Sequence, residues 1–223
     1  MRNYDSNLPL IAIHIPKTAG VSFREVLMEW FGSKLLLHYY SEATGEMPPK
    51  YDLTSLHSKE GPVVVYGHFN RKRNFGVEHY YPEVKQFITI LRDPFEMCVS
   101  GYFFMRERGV AWKDQSRIPK RELYDHILKS EGYLENFFPR KVTLVNYKEI
   151  IETQFIEIGI TEHMDESVKR IANKLNRKYT PGSLHQLNVT ARDQRVPYEL
   201  KDEFIERHPL DYAIYNHVLS SYV

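Results

Sequence analysis

The sequence predicts an α/β fold: a parallel sheet flanked by helices on both faces, in a single domain over residues 1–223. Three observations carry this. Short apolar runs rich in β-branched residues recur as LIAIHI (10–15), VVVY (63–66), FITIL (87–91) and FIEI (155–158). Segments with apolar residues at helical spacing alternate with them. No linker, internal repeat or low-complexity stretch divides the 223 residues, a length that suits one domain. Strands alternating with helices pack as a parallel sheet between two helical layers.

The elements follow in order. The run 10–15 is a buried strand that ends at Pro16. After the turn KTAGVS, the spacing of Phe23, Val26, Leu27, Trp30 and Phe31 predicts an amphipathic helix that stops at Gly32. Residues 33–61, with Pro48-Pro49, read as irregular with at most a short helix. The run 63–66 is a second strand, followed by Gly67-His68 and a polar, basic and aromatic loop over 70–82. The run 87–91 is a third, followed by Arg92-Asp93-Pro94. Asp93 is a good N-cap and Pro94 suits the first helical position, so a helix runs to about Arg108, with Phe95, Cys98, Val99, Tyr102 and Phe103 as its apolar stripe.

Residues 109–121 read as an exposed basic loop, and 122–129 as a short helix. The stretch 142–145 is weakly strand-like, and 155–158 is a further strand. Thr161 is placed to cap a helix over 162–175, acidic in its first turn and basic in its last. A polar loop over 176–197 and two helices, 198–207 and 211–221, split by Pro209, close the chain.

Lys plus Arg number 30 against 29 Asp plus Glu, a net charge of +1. That excludes the global basic excess of a general nucleic-acid binder, so an anionic ligand must be met by locally gathered cations. The 42% hydrophobic and 26% charged residues exclude disorder, collagen and coiled coil. Sixteen Tyr and twelve Phe supply core and, in part, groove lining. The one cysteine, Cys98, excludes an intrachain disulfide and a cysteine zinc site, and its apolar setting predicts a buried, inert thiol. No run reaches the ~18 apolar residues of a membrane span, and MRNYDSNLPL lacks a signal-peptide core. The expectation is a cytoplasmic protein with no membrane span and an open oligomeric state.

Two segments carry chemistry. In Ile15-Pro16-Lys17-Thr18-Ala19-Gly20-Val21-Ser22-Phe23 a tight turn joins a buried strand to a helix. Free backbone N–H groups and the helix dipole make an anion cradle there. Gly20 allows close approach, Lys17 adds a full charge, and Thr18 and Ser22 add hydroxyls. It is not a Walker A loop, because Lys17 precedes the glycine. The second segment sets Arg92 at a strand end and Ser100 eight residues later, about two helical turns along. Arg suits multi-donor capture of phosphate at the carboxyl edge of a parallel sheet. Taken alone, a structural ion pair explains Arg92 as well.

Together these segments resemble the 5′-phosphosulfate and 3′-phosphate motifs of sulfotransferases that use 3′-phosphoadenosine 5′-phosphosulfate (PAPS). HIPKTAGVSF and ITILRDPFEMCVSGYFFMR are similar to the carbohydrate branch that includes heparan sulfate 2-O-sulfotransferase. VVVYGHFN, FIEIGITEHMDESVKRIANKL, HQLNVT and DYAIYNHVL resemble its other segments. Val21 and Met97 depart from the branch's usual Thr or Ser and Arg.

The resemblance implies a P-loop-like α/β domain. It assigns Lys17, Thr18, Ala19, Gly20, Val21 and Ser22 to the 5′-phosphosulfate, Arg92 and Ser100 to the 3′-phosphate, and His68 to the catalytic base. PAPS is then the sulfuryl donor, PAP (3′-phosphoadenosine 5′-phosphate) the product, and a hydroxyl acceptor, first a glycan and next a lipid or other small alcohol, the partner. No metal, nucleic acid or membrane is implied.

Other residues have two readings. His14 points into the core or toward the crevice. Arg71, Lys72 and Arg73, and Lys113, Arg117, Lys120 and Arg121, form solvated loops or meet an anionic acceptor. The loop 181–188 is a candidate cover for adenine. An unperturbed imidazole pKa near ~6.5 leaves His68 mostly neutral at pH 7, and an anionic nucleotide nearby raises that pKa, so the rate is expected to climb with pH through the neutral range. Two rival functions stand: a nucleotide kinase-like phosphotransferase, and a non-catalytic nucleotide-binding protein on the same scaffold.

Overall fold

The computed structural model describes residues 1–60, 62–182 and 191–222. In order they form β1 (Leu10–Ile13), α1 (Gly20–Phe31), β2 (Leu35–His38), α2 (Leu53–Glu60), β3 (Val64–Gly67), α3 (Val77–Tyr80), β4 (Phe87–Leu91), α4 (Pro94–Arg108), α5 (Leu123–Leu128), α6 (Tyr147–Gln154), β5 (Phe155–Ile160), α7 (Met164–Lys174), α8 (Lys201–Arg207) and α9 (Pro209–Leu219). Among the described residues the strands make one sheet in the order β2-β3-β1-β4-β5, every neighbouring pair parallel.

Strands β1, β3, β4 and β5 are buried on both faces, which is why they read as continuous apolar runs rather than alternating ones. Alternate residues serve opposite layers. Leu10, Ala12, Val64, Tyr66 and Ile88 join α1 and α7 in one apolar cluster. Ile11, Ile13, Val65, Phe87 and Leu91 join α4, α8 and α9 in the other. Helices therefore cover both faces, as the alternation of the sequence requires. At α4 the Asp93 carboxylate accepts from the Glu96 N–H at 3.0 Å and Pro94 opens the helix, as predicted.

Several expectations need correction. The first strand stops at Ile13, two residues short of 15. Residues 33–61 contain β2, which pairs with β3 at the sheet's edge. Its three leucines carry no β-branched signal, so the strand exists through its partner rather than its own propensity. The close fit of the pair depends on Gly67, where an added Cβ would lie 1.8 Å from the His38 carbonyl oxygen.

The stretch 142–145 is no strand. Asn146 Oδ1 accepts from the Thr143 N–H at 2.7 Å, so turn chemistry wins, and Val145 is 96% exposed. Helix α6 follows it unforeseen. Thr161 caps no helix: its hydroxyl donates to the Leu91 carbonyl at 2.8 Å, and α7 begins only at Met164, after a 3₁₀ turn.

Candidate active site

The crevice arises from connectivity. The central strand β1 lies between β3 and β4. The chain leaves β1 for α1 on one face and leaves β4 for α4 on the other. Ligand sites in open parallel sheets lie at such a divergence, beyond the carboxyl ends of the strands. Lys17 follows β1, His68 follows β3 and Arg92 follows β4, so all three stand on this edge.

The turn after β1 is shaped by two non-glycine residues with left-handed backbone, Lys17 at φ 69° and Ala19 at φ 59°. Ala19 then passes directly into the first helical residue, Gly20. A left-handed residue followed by a helical one aims successive N–H groups into one concavity, an anion-binding nest. No side chain caps α1, so its N–H groups are not met in that way. The turn is braced from three sides. The Thr18 hydroxyl donates to the Ile15 carbonyl at 2.7 Å, the Tyr66 hydroxyl to the Gly20 carbonyl at 2.6 Å, and Arg92 Nη1 to the Lys17 carbonyl at 3.2 Å.

The cradle residues thus divide their tasks differently from the expectation. Thr18 is buried and its hydroxyl hydrogen is spent on the turn. Gly20 is required by the protein itself, since a Cβ there would lie 1.7 Å from His14 Nε2. Ser22 is buried and Val21 half-buried. The Lys17 ammonium lies 4.1 Å over the Phe104 ring. Burial first, and then the Arg92 charge, pull its pKa down to about 8.

Arg92, Glu96 and Ser100 follow one another at four-residue spacing at the start of α4, with Ser100 buried. Glu96 Oε2 accepts from Arg92 Nη2 at 3.4 Å and from Arg192 Nη2 at 2.6 Å, while Tyr198 donates to Oε1 at 2.8 Å. The Glu96–Arg92 spacing is legible in the sequence. Arg192 and Tyr198, some hundred residues on, gave no local signal. Of the loop 181–188, Pro181-Gly182 are described and the remainder, with the segment HQLNVT, lies outside the described residues.

His68 and His14 are brought together. The rings stack at 4.3 Å, and His68 Nδ1 lies 2.7 Å from the His14 carbonyl oxygen. His14 stacks on Tyr66 as well, and its Nδ1 lies 2.9 Å from the Tyr39 hydroxyl. His14 therefore serves as packing behind His68, the core reading of the two considered. Burial holds its pKa well below 6.5 and, as the largest cause, brings His68 down to about 4.

Lys17 and His68 both line a cavity of about 650 Å³. Its wall includes Tyr39, Tyr40, Phe75, Phe104, Trp112 and Tyr133. Of the basic loop residues, Lys72, Arg73 and Arg117 reach it, whereas Arg71 pairs with Glu78, and Lys120 and Arg121 are exposed. Cys98 also lines the cavity. It is half-buried rather than fully buried, and burial raises its thiol to about 11.

Among the described residues, no three His, Cys, Asp or Glu side chains form a metal-ligand group, and no helix is long and apolar enough to cross a membrane.

No family model matches the sequence, and no curated protein matches it. Among solved structures the fold matches the crystal structure of mouse sulfotransferase SULT7A1 complexed with PAP, at a TM-score of 0.50 and 13% identity. The match covers 79% of this chain and 61% of that one. The chain therefore has the fold of a sulfotransferase, over about three-fifths of that neighbour's length. The likeness does not extend to a carbohydrate branch.

Proposed function

We propose that the protein is a PAPS-dependent sulfotransferase. The observation that carries this reading is the place of Lys17. Its carbonyl holds Arg92, and its ammonium lines the cavity whose wall also carries His68. On this reading Lys17 serves the anion site and His68 is the base, both on the switch-point edge of a fold shared with a sulfotransferase. The residues fit an anionic nucleotide: a nest of N–H groups at an uncapped helix start, one ammonium, and the guanidiniums of Arg92 and Arg192.

The donor supplies an SO₃ group on a phosphate leaving group. His68 Nε2 takes the proton of the acceptor hydroxyl as the acceptor oxygen forms its bond to sulfur. The bridging S–O bond breaks and its electron pair stays on the phosphate, where the Lys17 ammonium and the N–H groups of residues 18–22 meet the growing charge. Arg92 and Ser100 select the 3′-phosphate. As in phosphoryl transfer, the chain mainly aligns groups and neutralises charge.

The acceptor is a hydroxyl compound; a glycan is what the sequence resemblance implies, and the lining of the cavity is the observation that bears on its class. Transfer of label from PAPS into acceptors, measured beside PAP binding, tests the proposal. Labelled product establishes a transferase. PAP binding without product under any acceptor leaves a nucleotide-binding protein.

A further inference from the structure

We infer that the acceptor is a small hydroxyl compound with an aromatic or similarly apolar body and a carboxylate-like group, the anion being held by Arg73 and Arg117. This rests on the sulfotransferase reading of the same site.

The size of the cavity, about 650 Å³, is that of a site for a small organic molecule. Its wall is dominated by rings. Three of the polar side chains among them hold protein partners. Asn70 Oδ1 accepts from the Arg73 N–H at 3.1 Å, Asn136 Nδ2 donates to the Tyr133 carbonyl at 3.1 Å, and the Ser130 hydroxyl donates to the Ile127 carbonyl at 2.7 Å. A sugar ring presents a hydroxyl at most of its carbons and needs a matching set of free donors and acceptors. This wall offers flat apolar surface instead.

Besides Lys17, Asp211 and the Lys72–Glu131 pair, the wall carries one further charged cluster. Arg73 Nη1 donates to the Glu42 carboxylate at 2.7 Å, and Arg117 donates to the same carboxylate. Among the described residues, Glu42 is the one carboxylate within ion-pair reach of either guanidinium. Asp114 lies near them, but its Oδ1 accepts from the Ser116 N–H at 3.0 Å and hydroxyl at 2.6 Å. The two guanidiniums rest on rings, Arg73 at 4.0 Å over Tyr40 and Arg117 at 4.8 Å over Trp112. Each carries five N–H donors, more than one carboxylate can accept.

The cluster Glu42–Arg73–Arg117 is thus a half-buried cationic site framed by aromatic faces. His68, Glu42, Arg73 and Arg117 line the same cavity. An acceptor of modest length can therefore set its hydroxyl at His68 and its anion at the guanidiniums.

The test is calorimetric titration of the full chain saturated with PAP, using hydroxyphenylpropanoate, its uncharged amide and glucuronate as probes. The aromatic acid should bind about tenfold or more tightly than the amide, the gain of a charge-assisted contact. It should also exceed glucuronate. Arg117→Gln should erase the preference for acid over amide and leave amide and PAP binding unchanged. Arg73→Gln serves as the second variant. Equal binding of acid and amide, or glucuronate binding as tightly as the aromatic acid, overturns the inference. So does an unchanged preference in both variants. PAP binding in those cases leaves the nucleotide reading standing, whereas failure of PAP to bind overturns the sulfotransferase reading and the acceptor role with it.

Discussion

His68 is held by the backbone of His14. Its Nδ1 lies 2.7 Å from the His14 carbonyl oxygen while the two rings stack at 4.3 Å. A carbonyl can only accept, so Nδ1 carries the proton and donates it. Nε2 then keeps its lone pair, and a neutral imidazole of fixed tautomer lines the cavity.

This relation sets the pH profile. With His68 brought down to about 4, the base is already neutral well below pH 7. Lys17, lowered to about 8, loses its proton above that value. The value of kcat/KM should therefore be flat between about pH 5 and 7, with an acid limb near 4 and a basic limb near 8. An acid limb near ~6.5 would mean an ordinary imidazole and count against this environment. Stability follows the same sign. A folded pKa below the unfolded one means the unfolded chain binds more protons as pH falls. The contribution is present above ~6.5 and lost on acidification through 4.

His68→Ala should lower kcat by roughly 10²–10⁴-fold, the usual share of general-base catalysis. PAP affinity should stay at the wild-type value. Turnover retained together with a lower unfolding midpoint would make His68 a strand-end packing residue.

Lys17→Ala should reduce kcat by about 10²–10³-fold, the loss typical of one charge-stabilising donor. Steady-state kinetics decide the point. A variant that raises only KM for PAPS assigns Lys17 to ground-state binding.

Arg92→Ala should abolish discrimination between PAP and AMP. In the wild type the 3′-phosphate should be worth about tenfold or more in affinity, from charge-assisted hydrogen bonds of roughly 1.5–3 kcal/mol each. Calorimetry with the two nucleotides measures the difference directly, and equal affinities in the wild type would remove Arg92 and Ser100 from the phosphate site.

Gly20 and Gly67 should respond differently to alanine. Gly20→Ala meets the His14 ring, and Gly67→Ala meets the His38 backbone. Both should destabilise, Gly20→Ala by about 1–3 kcal/mol, the usual cost of overpacking. Adding His14→Ala should recover part of the Gly20→Ala loss and none of the Gly67→Ala loss in urea unfolding.

The central strands and α4 were legible because their signals are local: β-branched runs, and the Asp-Pro start of a helix. The strand β2 was not, since LLLH becomes a strand only by lying along β3. The same division holds for the site. Lys17, His68 and Arg92 follow three legible strands, so their convergence came with the topology. The Glu96–Arg192–Tyr198 cluster and the Glu42–Arg73–Arg117 cluster join segments far apart in sequence, and only packing brings them together. Gly20 was legible as a special position, but for a different reason, because the ring that fills its missing side chain comes from the preceding strand end.

The bracing of the turn by Tyr66, Thr18 and Arg92 has a consequence for binding entropy. A loop that had to order six residues on meeting its ligand would lose roughly 6–12 kcal/mol in backbone freedom alone, at about 1–2 kcal/mol per residue. Here that loss is met during folding, by hydrogen bonds that exist without a ligand. The attraction between a nucleotide and residues 17–22 can then be expressed in full as affinity, and association needs no prior search among loop conformations.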